Sequence, residues 1–102
     1  MKKIPLQYKD IIIGDILWDD LTFSKKLIYG NYYQIIGFID VGDNLKSKII
    51  YFNIYDKNVN FIEEAIIQPA LFKIKSKDRI YKIEFETIQE RAKFLLLMNT
   101  SS

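Results

Sequence analysis

The stretch Tyr32–Asp56, YYQIIGFIDVGDNLKSKIIYFNIYD, decides the fold. Two runs rich in β-branched and aromatic residues flank a polar Gly-Asp-Asn segment, the composition of two long strands joined by a loop. Closing that loop over Val41–Leu45 sets Asp40 opposite Lys46 and Ile36 opposite Ile50. Period-two alternation then places Tyr32, Gln34, Ile36, Phe38, Ile50, Phe52 and Ile54 on one face, the expected core. The other face carries Tyr33, Ile35, Gly37, Ile39, Ile49, Tyr51, Asn53 and Tyr55. A slip of one residue exchanges the two sets, so the reading of each face depends on this register.

Outward from the hairpin, Ile11–Trp18 reads as a strand interrupted by a turn or bulge at Gly14-Asp15. Leu27–Tyr29 reads as a short strand ending at Gly30-Asn31. Asp56–Asn60 is a turn, and Phe61–Gln68 suits either a strand or one helical turn before Pro69 ends it. Leu71–Lys77 alternates, with Phe72 and Ile74 inward and its lysines outward; Ser76–Asp78 then turns into Arg79–Glu86, with Tyr81, Ile83 and Phe85 inward. Thr87-x-x-Glu90 has the form of a capping box, in which each side chain satisfies an orphan N–H at a helix start. A helix over 87–98 follows, with Ile88, Ala92, Leu95 and Leu96 as its apolar stripe, widened by Phe94, Leu97 and Met98; 99–102 is a frayed tail. The expected architecture is a single domain over 1–102, mainly β (α+β). It is a small, strongly bent antiparallel sheet or an SH3-like or OB-like partly open barrel with a C-terminal helix.

Composition narrows the function. At 102 residues, with 49% hydrophobic and 15% aromatic, the chain has material for one core, and a net charge of +2 does not by itself demand a nucleic-acid partner. There is no Cys and no His, which removes disulfides, thiolate chemistry and the usual acid–base and metal-binding side chain. The basic start MKKIPLQYKD lacks the apolar run of a signal peptide, and no segment has the ~20 apolar residues that span a bilayer. A cytoplasmic protein without membrane contact is expected. The excess of Ile, Lys, Asn, Tyr and Phe, against two valines and two arginines, points to an AT-rich genome: a low-GC bacterium, or a phage or mobile element within one.

The middle of the chain resembles a family of small, uncharacterised bacterial β domains. Gly30, Asn31, Tyr33, Ile35 and Gly37 match its Gly-Asn-x-Tyr-x-Val-x-Gly block, Ile49, Ile50 and Tyr51 its Val-Val-Tyr strand, and Pro69 and Phe72 its Arg-Pro…Phe segment. Gln68 stands where the family has Arg, the Pro-to-Phe spacing is one residue shorter, and the upstream Trp is missing. The resemblance implies a compact β domain and carries no mechanism.

Three groups of side chains are candidates for chemistry. Asp10, Asp15, Asp19 and Asp20 form either a solvated acidic loop or a cluster for a hard cation such as Mg²⁺, without the spacing of an EF-hand. No base accompanies the serines, so no catalytic residue, metal site or cofactor is assigned. Lys73, Lys75, Lys77, Arg79 and Lys82 make a basic hairpin, which either tracks phosphates or protects a sheet edge from aggregation. Tyr33, Tyr51, Asn53 and Tyr55 make a tyrosine face, which the C-terminal helix covers or a partner binds. The leading expectation is a non-catalytic module acting through protein–protein contacts, in its sharp form a phage or mobile-element accessory or inhibitor protein directed at a host or defence protein. The alternative is a nucleic-acid- or nucleotide-binding small barrel using the basic hairpin and the tyrosine face. A carboxylate-metal enzyme on Asp15, Asp19 and Asp20 is the third reading, and the broad helix stripe allows a homodimer.

Overall fold

The computed structural model of the chain describes residues 1–6, 11–19, 32–40, 48–67 and 80–101. Within them lie β1 (Lys2–Pro5), β2 (Ile16–Asp19), β3 (Tyr32–Asp40), β4 (Lys48–Tyr55), β5 (Phe61–Ile67), β6 (Ile80–Glu84) and the helix α1 (Ile88–Ser101). The strands form one antiparallel sheet in the order β1-β6-β2-β3-β4-β5. The chain is therefore mainly β with a C-terminal helix, as its sequence implies, and the sheet is open. The expected strands over 27–29 and 71–77 and the hairpin loop over 41–45 lie outside the described residues.

β1 has no counterpart in the sequence reading. It carries Lys2, Lys3 and Pro5 and little apolar pattern, because among the described strands it lies at the edge of the sheet and pairs only with β6. Proline and lysine are tolerated there because one side of the strand needs no ladder. β5 resolves the helix-or-strand ambiguity at Phe61. It pairs with β4, and its Glu63 and Glu64 are exposed although they point to opposite faces.

The β3–β4 register corrects the expected faces. Asp40 pairs with Lys48 rather than Lys46, and Phe38 with Ile50, a shift of two that keeps the parity. Ile36 then has no partner, a β-bulge between Ile35 and Gly37, so Ile35 pairs with Phe52 and Tyr33 with Ile54. One extra residue exchanges the faces of everything before it. Tyr33 and Ile35 consequently join Ile50, Phe52 and Ile54 in one core, together with Leu17 and Ile80. Leu17, Ile35 and Ile54 are at most 1% exposed, and burial on this scale is worth roughly 1.5–3 kcal/mol per side chain. Gln34, awkward on the expected apolar face, is half-buried and accepts a hydrogen bond from the Tyr55 hydroxyl (3.3 Å).

A second core lies on the opposite face, where Ile16, Tyr55, Val59 and Ile83 pack with Phe94 and Met98 of α1. The ring of Phe94 meets Tyr32 edge-on (centroids 5.1 Å apart) and Phe85 at 5.6 Å. Val59 enters this core from the β4–β5 turn with φ at 64°, a left-handed conformation that β-branched residues rarely hold. The turn is fixed around it: Asp56 Oδ1 accepts from the amides of Asn58 (2.8 Å) and Asn60 (2.9 Å), and the Val59 amide donates to the Asp56 carbonyl (2.9 Å).

α1 begins at the expected cap, with Thr87 Oγ1 accepting from the Glu90 amide (3.1 Å). The Glu90 carboxylate lies 3.0 Å from the N-terminal ammonium. The helix continues through Ser101, into the residues expected to fray. Its orientation also departs from expectation. Phe94 and Met98 are buried, whereas Ile88 is 85% exposed and Leu96 63%. Two apolar stripes compete for the sheet, and the one holding the aromatic ring fills the space between Tyr32 and Phe85.

Candidate interaction surface

The four residues of the expected tyrosine face do not form one surface. Tyr33 lies on the opposite side of the sheet, 5% exposed, with its hydroxyl donating to Asp19 Oδ2 (2.8 Å) and its ring edge-on to Phe52. The bulge at Ile36 accounts for this separation. Tyr55 is buried in the core under α1, its ring edge-on to Phe61. Tyr51 and Asn53 remain half-buried outside that core. The Tyr51 hydroxyl donates to Glu64 Oε2 (2.6 Å), and this hydrogen bond, with lesser contributions from burial and from the Glu64 charge, raises its pKa. The side-chain oxygen Oδ1 of Asn53 is buried and has no hydrogen-bond donor among the described residues.

Of the basic hairpin, Lys73, Lys75, Lys77 and Arg79 lie outside the described residues. Lys82 is on β6, where its ammonium lies 3.3 Å from Asp15 Oδ1. Asp15 is in turn held by a local hydrogen bond, its Oδ2 accepting from the Ile12 amide (2.9 Å). Asp19 is 2% exposed and receives the Tyr33 hydroxyl. Two of the four clustered aspartates are thus engaged as structural acceptors, and Asp10 and Asp20 are outside the described residues. Among the described residues, no three carboxylates converge on one point.

A surface that sequence reading did not assemble lies where the turn before β2, the end of β6 and the start of α1 meet. The turn is built by Gly14, whose φ of 93° suits glycine, and its ends are tied to β3. The Gly14 amide donates to the Ile35 carbonyl (2.8 Å) and the Ile35 amide to the Asp15 carbonyl (2.9 Å). Because the turn is anchored this way, Ile12 and Ile13 stand out at 60% and 63% exposure. Between the turn and the helix runs an open groove of about 520 Å³, lined by Ile4, Ile12, Ile13, Phe85, Ile88 and Arg91. Arg91 reaches over the turn, its Nη2 3.6 Å from where a side chain on Gly14 would begin. Ile88, Ala92 and Leu96, four residues apart on α1, continue the apolar surface along the helix. The signal was present in the sequence as Ile11-Ile12-Ile13 beside a glycine turn, but three isoleucines before a turn read equally well as strand.

No family model matches the chain, and neither a curated protein nor a solved structure matches it. Among the described residues, no helix is long and apolar enough to cross a membrane.

Proposed function

We propose that this protein is a non-catalytic binding module that acts through protein–protein contacts at the surface formed by Ile12, Ile13, Ile88 and Leu96. The single observation behind this reading is the continuity of exposed aliphatic side chains from the Gly14 turn across the groove and along α1. Contiguous exposed apolar surface rimmed by polar groups is a common mark of an interaction site. Here the rim is charged, with Arg91, Glu84 and Glu86 at the groove. The sharper form of the reading, an accessory or inhibitory protein of a phage or mobile element directed at a host or defence protein, is supported by small size and by the AT-rich residue choice.

Affinity capture from a low-GC bacterial host, with and without phage infection, tests the reading when wild type is compared with Ile88→Asp/Leu96→Asp. Both positions are exposed, so the fold is retained, which far-ultraviolet circular dichroism checks. A stoichiometric partner held by wild type and lost by the variant is the expected result. Identical captures from the two proteins refute the assignment of this surface.

A further inference from the structure

We infer that the partner presents an amphipathic helix whose apolar seam is flanked by carboxylates; this rests on the protein-binding reading of the same surface. The seam on α1 runs large–small–large: Ile88, Ala92 and Leu96 lie along one side of the helix, one turn apart. Ala92 at the centre leaves a recess between two exposed aliphatic side chains, the geometry that accepts a side chain from a second helix. From Ile88 to Leu96 the seam runs about 12 Å along the helix axis, the length of about two turns of a partner helix.

Charge then selects the partner. Arg91 and Lys93 immediately precede and follow Ala92, so at about 100° per residue they lie on opposite flanks of the seam. Both are exposed, and neither has an ion-pair partner among the described residues. Glu90, the carboxylate within the helix, is engaged by the N-terminal ammonium. The seam is therefore an apolar strip between two cations that have no ion-pair partner among the described residues. A second copy of α1 fits this poorly. In an antiparallel symmetric pair like flanks meet, setting Arg91 beside Arg91 and Lys93 beside Lys93. In a parallel pair opposite flanks meet, and cation again faces cation. A helix carrying Asp or Glu on both sides of its seam meets both cations at once. At the helix start the rim changes sign at the exposed Glu84, with Glu86 beside it 4.0 Å from the N-terminal ammonium, so the end of the partner over the groove is neutral or basic and its direction is set.

The test uses two fluorescently labelled synthetic helical peptides with the same leucine seam, one flanked by glutamates and one by lysines, titrated with the full chain and read by anisotropy. The glutamate peptide is expected to bind about tenfold tighter at low salt, with the gap closing as salt screens the rim. Arg91→Glu/Lys93→Glu is expected to invert the preference, and Ile88→Asp/Leu96→Asp to abolish binding of both peptides. Equal binding of the two peptides overturns the charge inference and leaves the protein-binding surface standing. A concentration-dependent dimer in light scattering, lost in Ile88→Asp/Leu96→Asp, makes a second copy the occupant and overturns it as well. Binding of neither peptide, with a monomer at all concentrations, overturns both readings.

Discussion

Val59 holds a left-handed backbone conformation while its side chain is 9% exposed against Tyr55 and the helix, so its two roles pull in opposite directions. Truncation separates them. Val59→Ala removes two methyl-sized groups from the core, about 1.5 kcal/mol at roughly 0.8 each, and keeps a Cβ and with it the backbone strain. Val59→Gly removes the same groups, the Cβ and with it the strain, which for a non-glycine residue in this region is roughly 1–2 kcal/mol. Against that relief stand the further buried carbon, roughly 0.8 kcal/mol, and the greater chain entropy of glycine, roughly 0.5–1 kcal/mol. The glycine variant is therefore expected to match the alanine variant to within about 0.5 kcal/mol, with both below wild type. At an unstrained buried site the same two losses leave glycine the less stable by about 1.5 kcal/mol. Urea unfolding followed through the single tryptophan, Trp18, which sits against Tyr81 and under the Lys3 ammonium, reads the difference. A glycine variant less stable than the alanine variant by about 1.5 kcal/mol refutes the strain.

Two further predictions concern the tyrosines. Tyr33→Phe removes a hydrogen bond to the buried carboxylate of Asp19 and is expected to cost about 1–3 kcal/mol in urea unfolding. Tyr51→Phe breaks a hydrogen bond at the surface and is expected to cost far less; equal losses contradict the burial of Asp19. Glu64→Gln removes the main cause of the raised Tyr51 pKa, so one phenol is expected to titrate at lower pH in near-ultraviolet absorbance. Tyr32, raised by burial, stays where it was. Because folding favours the neutral phenol at both positions, their contribution to stability is intact below pH ~10 and is lost as pH rises through the folded-state values. An unchanged titration curve in Glu64→Gln refutes the Tyr51–Glu64 contact.

The central hairpin, the strand at Ile80–Glu84 and the cap at Thr87 were legible because each rests on local chemistry: alternation, turn residues and a capping pair. The identity of each face was not. Alternation counts residues and has no means of marking that Ile36 drops out of the ladder, and this one position moved Tyr33 to the other core and dismantled the expected tyrosine site. The rotation of α1 was hidden for a different reason. A helix apolar on two sides, with Phe94 and Met98 on one and Ile88 and Leu96 on the other, satisfies a pattern argument either way. Only packing against Tyr32 and Phe85 chooses between them. The interaction surface joins Ile12, Ile13 and Ile88, far apart in sequence, through the anchoring of the Gly14 turn to Ile35, which no local pattern encodes.

The unpaired Ile36 acts on the sheet as a frameshift acts on a message. Upstream of it, side chains are read in one frame and downstream in the other, so each stretch makes sense only relative to this position. A deletion at 36 removes the extra position and leaves Ile35 opposite Phe52 and Tyr33 opposite Ile54, so plain alternation then predicts every face, and two residues gained or lost in the distal loop likewise leave every frame intact. Relatives of this chain will therefore differ freely in hairpin length by even steps. One that lacks the odd residue beside Gly37 will keep the same faces, and its sequence will show them by alternation alone.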